Sequence, residues 1–119
     1  MINGGSGEME SILTSTKKLL GITEEYEHFD ADLIMHINSV FMILNQLGVG
    51  PESGFVITGK DEKWSDYIPD PVKVAPVKTY IYQKVRLIFD PPVNSAVTES
   101  YKQMIQEFEW RMNVVAESG

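Results

Sequence analysis

The residues best suited to hold a metal ion lie in one acidic stretch, Glu24, Glu25, Glu27, His28, Asp30, Asp32 and His36. Asp32 and His36 are spaced so that a helix would place both on one face, where they could share a ligand. A metal site, however, needs three or four converging ligands with supporting partners. A solvated acidic linker followed by a helix N-cap explains the same residues. We therefore expect no metal site here.

No other arrangement in the chain carries recognisable catalytic chemistry. Serine, histidine and aspartate do not occur in the context of a nucleophilic triad, and no glycine-rich phosphate loop precedes a helix. The segment VGPESG at residues 49–54 lacks the lysine that a phosphate loop carries. We expect a protein with neither enzymatic activity nor a cofactor.

The basic residues are few but grouped. They lie in or beside the third predicted helix and in the turn before it, at Lys73, Lys78, Lys84 and Arg86, and at Lys60 and Lys63. They form either an ordinary solvated face or a surface that pairs with acidic groups of a neighbour in an assembly. Arg111 adjoins Trp110, and both residue types are enriched at interface hot spots. Glu107 is also placed to pair with Arg111 within one helix.

Composition restricts the class of protein. The formal charge of -7 argues against a surface that grips nucleic acid, because phosphate binding requires clustered lysine and arginine. The chain has no cysteine, which excludes disulfides and thiolate metal sites and fits a reducing compartment. It has neither an apolar run long enough to span a bilayer nor a signal-peptide pattern, so we expect a soluble intracellular protein.

The length of 119 residues suits one domain. We predict a flexible lead or expression remnant at 1–7 and a single helical domain at 8–119. Apolar periodicity places helices at about 8–20, 31–47, 72–89 and 95–117. The fold class is therefore mainly α, a four-helix bundle-like domain with an extended loop or a short β-strand or hairpin between helices 2 and 3.

The third helix is the one around which the others are expected to pack. Valine and isoleucine recur every three or four residues from Val74 to Ile88, and Tyr80 and Tyr82 widen the apolar surface beyond one stripe. Such a helix is either central or in contact with a partner. The sequence Asp-Pro-Pro that begins at Asp90 must end it, because proline lacks the amide that a continuing helix needs.

Turn chemistry marks the other helix ends. Gly21 and Gly48 occupy positions typical of glycine C-caps. Asp30 is expected to cap the second helix, and Asn94 or Ser95 the last one.

Two helices carry apolar residues outside their core stripe. Met35 and Met42 extend the stripe of the second helix round its side, so this helix is either buried or shared with a neighbour. Trp110 lies opposite the predicted core face of the last helix, which comprises Val97, Tyr101, Met104, Ile105, Phe108, Met112 and Val115. Trp110 is expected to meet the segment 49–71, another helix or another subunit, and packing within the monomer remains an alternative.

Residues 49–71 are the part without a helical pattern. Phe55, Val56, Ile57 and Thr58 are β-prone and are followed by turn residues, which favours a strand or a short hairpin. A lone strand needs a partner, so a hairpin forms or the strand pairs with another subunit. The spacing of Trp64, Tyr67 and Ile68 indicates one helical turn against the core.

The order of these segments resembles the small head-tail connector, or adaptor, proteins of long-tailed bacteriophages and prophages. The matching stretches are KKLLGI at 17–22, LNQLGVGP at 44–51, the strand at 55–57 followed by WSDYI, KTYIYQKVRLIFDPP at 78–92 and FEWRMN at 108–113.

The resemblance implies a structural protein of the virion neck, assembled in the host cytoplasm, with no catalysis. Copies would form a ring on the portal vertex that matches its symmetry and joins the DNA-filled head to the tail. The partners implied are other copies, the portal protein and the next neck or tail-completion protein, with DNA only passing through the channel. A free subunit would stay monomeric until docking, when the 49–71 loop would reshape.

The candidate interface residues are Phe55, Val56, Ile57, Trp64, Tyr67, Tyr80, Tyr82, Trp110 and Arg111. The alternative function is a small helical interaction module or regulator that acts as a dimer.

Overall fold

The computed structural model of the protein describes residues 10–118, with side chains to residue 113. Within this range five helices follow one another: α1 Ile12–Leu19, α2 Asp30–Gln46, α3 Trp64–Tyr67, α4 Pro71–Phe89 and α5 Ser95–Ser118. The mainly α, bundle-like fold class is thereby confirmed. No helix in the described range is long and apolar enough to cross a membrane. The predictions for residues 1–7 and for the side chain of Val115 lie outside the described residues.

Helix α4 packs against both α2 and α5. Its buried residues include Val74, Val77, Ile81 and Val85, as the periodicity predicts. Ile88 is exposed instead, because the buried stripe ends one turn before the helix does. The helix starts with Pro71 after the Asp70 cap, whose side chain accepts a hydrogen bond from the backbone N–H of Val72.

The helix ends agree with the turn chemistry except at α2. Gly21 and Gly48 have φ of 81° and 83°. The side chain of Asn94 accepts hydrogen bonds from the N–H groups of Ala96 and Val97 and so caps α5. The prediction for Asp30 was wrong: it is the first residue of α2, after Phe29, and its carboxylate contacts a lysine instead.

The segment between α2 and α4 is an extended loop with one helical turn, and it forms no strand within the described residues. Asn38 of α2 donates to the carbonyl of Ile57 at 2.9 Å and accepts from its N–H at 2.8 Å. This amide side chain gives Ile57 both hydrogen bonds that a neighbouring strand would supply. The predicted turn at Trp64, Tyr67 and Ile68 is confirmed as α3, and an isolated bridge between Ser11 and Lys63 ties it to the start of α1.

Helix α5 is less buried than its apolar pattern predicts. Ile105 is buried, and Tyr101, Phe108 and Met112 are half-buried. The predicted core positions Val97 and Met104 are exposed. Since α5 packs mainly against α4, much of its circumference is not covered by the residues that the structure describes.

Candidate functional site

The acidic stretch does not assemble a metal site. Glu24, Glu25, Glu27 and His28 are all exposed. Asp32 is exposed as well, while His36 is half-buried. Among the described residues no group of three or more histidines, cysteines or acidic residues is placed to hold a metal ion. The stretch is a solvated connection between α1 and α2 that continues into the first two turns of α2.

One charged pair in this connection is partly buried. Lys17 of α1 is almost fully enclosed, and its Nζ lies 2.8 Å from Asp30 Oδ1 and donates to the carbonyl of Glu24 at 3.0 Å. Asp30 Oδ1 receives no hydrogen bond of good geometry, so the close approach of opposite charges is what compensates burial of the ammonium group. The pair fixes the acidic connection against the bundle.

Four of the nine candidate interface residues belong to the hydrophobic core. Ile57, Trp64, Tyr67 and Tyr80 are each at most 3% exposed. The indole N–H of Trp64 donates to Ser15 Oγ at 2.8 Å, which satisfies its polar atom inside the subunit. These four residues therefore stabilise the monomer, and the interface proposal keeps only the accessible candidates.

The two buried tyrosines differ at their hydroxyl groups. Burial raises the pKa of Tyr80, and its hydroxyl donates to Glu109 Oε2 at 2.6 Å, which raises the pKa further. Its ring also stacks on Phe108 with 4.5 Å between centroids, joining α4 to α5. Burial alone raises the pKa of Tyr67, whose hydroxyl has no hydrogen-bond partner among the described residues. Neither group has the setting of a catalytic acid.

Tyr82 takes part in a small surface cluster between α4 and α5. Its hydroxyl accepts from Arg86 at 3.0 Å, a hydrogen bond that raises the pKa of the guanidinium, and its ring meets Tyr101 edge-on at 6.3 Å. The half-buried Tyr82 thus contacts α5 within the subunit through its ring.

Three of the remaining candidates are exposed. Val56 is 61% exposed and Trp110 is 66% exposed. Arg111 is exposed and pairs with Glu107 at 2.9 Å, the intrahelical pair that the sequence allowed. Phe55 is half-buried, and its ring packs at 5.2 Å from Phe41. The exposed indole is the costliest of these to leave in water, because its burial would remove about 150–250 Å² from solvent.

A groove on α2 joins two exposed methionines to Phe55 and Val56. We call it the α2 groove; it encloses about 590 Å³ and is lined by Met35, Asn38, Ser39, Phe41, Met42, Asn45, Ser53, Gly54, Phe55 and Val56. Met35 and Met42 are 58% and 62% exposed, on the side of α2 opposite its core face. They were not among the interface candidates, although their position off the core stripe was the available signal.

A family model described as "Phage connector protein" matches residues 12–119 of the chain. The match covers all five helices. No curated protein and no solved structure matches significantly.

Proposed function

Since the chain belongs to the phage connector protein family, we propose that its copies form a ring at the portal vertex of a long-tailed phage or prophage particle. The ring joins the DNA-filled head to the tail. Family membership supports a phage structural connector role, and it is the observation that carries this proposal. We propose three things beyond family membership: the ring, its match to the portal symmetry and its place in the neck.

The surface of the subunit supports assembly through unlike contacts. A ring requires that one patch of a subunit meets a different patch of the next. The α2 groove and the exposed side of α5 around Trp110 lie on helices that both pack on α4. The two surfaces thus lie on different helices, as contacts with two different neighbours require.

The core of the subunit supports a folded monomer before assembly. Helices α1 to α5 contribute to one cluster of buried apolar residues that needs no second chain. The proposed reshaping of loop 49–71 on docking has to leave Ile57, Trp64 and Tyr67 in place, because removing them from the core costs the free energy of their burial. Movement is therefore expected in the exposed side chains of residues 52–53 and of Val56, and not in the backbone that Asn38 and Asn45 hold.

The charge of the chain suits a channel through which DNA passes. The formal charge is -7, and Glu24, Glu25 and Glu27 are exposed in the connection between α1 and α2. Repulsion between such carboxylates and phosphate disfavours adhesion of DNA. The proposed partners are other copies, the portal protein and the next neck or tail-completion protein. No catalysis is proposed.

The test is a tagged pull-down from the native host after prophage induction, with quantitative mass spectrometry and an untagged strain as control. Enrichment of the portal protein together with a tail-completion protein is the expected result. Recovery of the chain alone, or with a host regulator, would reject the neck role and favour the dimeric interaction module.

A further inference from the structure

We propose that the contact between neighbouring subunits is formed by Trp110 of one copy inserted into the α2 groove of the next. This inference rests on the proposed function and names the two surfaces that make the ring. The occupant of the groove is thus a second copy of this chain.

The α2 groove is held open by hydrogen bonds inside the subunit. Asn38 binds both backbone groups of Ile57, and Asn45 Nδ2 donates to the carbonyls of Pro51 and Glu52 at 3.1 and 3.3 Å. These two side chains of α2 fix the loop that forms the opposite wall. A pre-formed groove loses little conformational entropy when an anchor enters it.

The lining of the groove suits an aromatic side chain. Apolar surface comes from Met35, Met42, Phe55 and Val56, and the remaining described lining residues are asparagine, serine, glycine and Phe41. Methionine adapts its shape to an inserted ring, and its sulfur interacts favourably with aromatic edges. The volume of about 590 Å³ exceeds what one indole fills, so neighbouring side chains of α5 can enter with it.

Neither the surface around Trp110 nor the α2 groove presents an unpaired charge to the other. Gln103 and Gln106 flank the indole on the exposed side of α5, and Glu107 is already paired with Arg111. The described lining of the groove carries no charged residue. Docking these surfaces therefore buries no unpaired charge. An unpaired charge buried in the contact would be strongly unfavourable. Phosphate of DNA finds no cation in the groove, so it is a poor competitor.

The contact is heterologous, and its small area predicts a monomer in dilute solution. One inserted tryptophan with its rim covers less than the roughly 800 Å² per partner that stable interfaces bury. Each contact alone is weak, and closure of a ring makes the contacts cooperative. A patch that paired with itself would instead give a closed dimer.

The absence of cysteine allows a direct test with engineered thiols. One protein carries Ser39→Cys in the α2 groove, and a second carries Gln106→Cys beside Trp110. Both positions are exposed. Each protein alone, and an equal mixture of the two, is treated with a short bismaleimide at millimolar protein concentration. The same treatment is applied to purified phage particles that were assembled with both variants. In the control mixture, Ser100→Cys takes the place of Gln106→Cys. Residue 100 is exposed near the start of α5, away from Trp110 along the helix.

The expected result is a cross-link between Ser39→Cys and Gln106→Cys that neither protein gives alone. Adding Trp110→Ala to the Gln106→Cys chain should weaken this association about 30-fold, the size expected for loss of an aromatic anchor. Tyr26→Ala, which removes an exposed ring elsewhere, should leave it unchanged.

Cross-links within either single population would overturn the proposal, because they indicate a patch that pairs with itself. Absence of the mixed cross-link in particles that contain the chain would also overturn it while leaving the neck role intact. A mixed cross-link in a chain that never recovers portal protein would instead reject the proposed function alone.

Discussion

Tyr67 and Tyr80 show how differently two buried hydroxyl groups contribute to stability. The hydroxyl of Tyr80 donates to the carboxylate of Glu109, whereas that of Tyr67 is buried with no partner among the described residues. A hydrogen bond to a charged group contributes about 1.5–3 kcal/mol, and an unsatisfied buried group is unfavourable.

We therefore expect opposite outcomes from the same substitution. Tyr80→Phe should lower the free energy of unfolding by about 2 kcal/mol, and Tyr67→Phe should leave it unchanged or raise it. Urea denaturation of both variants measures the difference. A loss of stability in Tyr67→Phe as large as that in Tyr80→Phe would show that the Tyr67 hydroxyl has a partner.

Glu62 gives the loop a dependence on pH. Partial burial acts to raise the pKa of Glu62. Hydrogen bonds from the backbone of residue 62, from the hydroxyl and N–H of Thr58 and from the backbone of Gly59 act in the opposite direction, and the pKa is lowered from 4.5 overall. A lowered folded-state pKa stabilises the fold above the unfolded-state pKa, and this stabilisation is lost as the pH falls through the folded-state value.

The melting temperature should therefore decrease below about pH 4.5 partly through Glu62. Glu62→Gln should show a shallower decrease than the parent over the same acidic range, because it has no proton to bind. Equal pH profiles for the two proteins, measured by circular dichroism, would contradict this role of the carboxylate.

At the scale of the elements, glycine geometry sets the turn between α2 and the loop. Gly48 and Gly50 both have positive φ. A Cβ on Gly50 would lie 2.5 Å from a ring carbon of Tyr67, whereas one on Gly48 would meet nothing within 4 Å. Both positions are strained for residues other than glycine, but only a side chain at residue 50 would also clash with the core residue Tyr67.

Gly50→Ala should therefore destabilise the protein by at least about 1 kcal/mol more than Gly48→Ala, since the clash adds to the shared backbone strain. Gly59→Ala, at a position without positive φ and without a nearby atom, is the control and should be nearly neutral. Chemical denaturation of the three variants measures the order, and equal losses at residues 48 and 50 would argue against close contact with Tyr67.

The helices could be predicted from the sequence because their signals are local. Apolar spacing sets each helix, and Gly21, Gly48 and Asn94 mark helix ends within a few residues. Whether residues 55–58 form the predicted strand could not be decided from such local signals. Its β-prone residues are held by Asn38, nineteen positions earlier, and a contact between a side chain and a distant backbone leaves no periodic trace.

The candidate site was predicted only in part for a related reason. Residue type indicates which side chains favour burial, but the packing of the whole chain decides what covers them. Trp64 is 2% exposed within the core cluster, where Ser15 of α1 accepts a hydrogen bond from its indole N–H, whereas Trp110 is 66% exposed on α5. Only the helical wheel distinguished Trp110 in advance, and the apolar pattern of the second helix indicated only that Met35 and Met42 extend its stripe round the side.

At the scale of the whole molecule, the two tryptophans separate folding from assembly. Trp64→Ala should cost about 3–5 kcal/mol of stability, the usual loss for a buried aromatic. Trp110→Ala should leave the monomer folded, because its indole is 66% exposed, yet it should block incorporation into particles. Thermal melts measure the first effect and complementation of a phage lacking the gene measures the second. A large drop in melting temperature for Trp110→Ala would place this residue in the core.

The proposed ring at the portal vertex would contain a fixed number of copies in each particle. Quantitative mass spectrometry of purified particles, with labelled peptides of this chain and of the portal protein as standards, measures that number directly. The proposed ring predicts that the chain is present in particles and in the same copy number as the portal protein. Particles that contain the portal protein, retain their tails and lack this chain would contradict it.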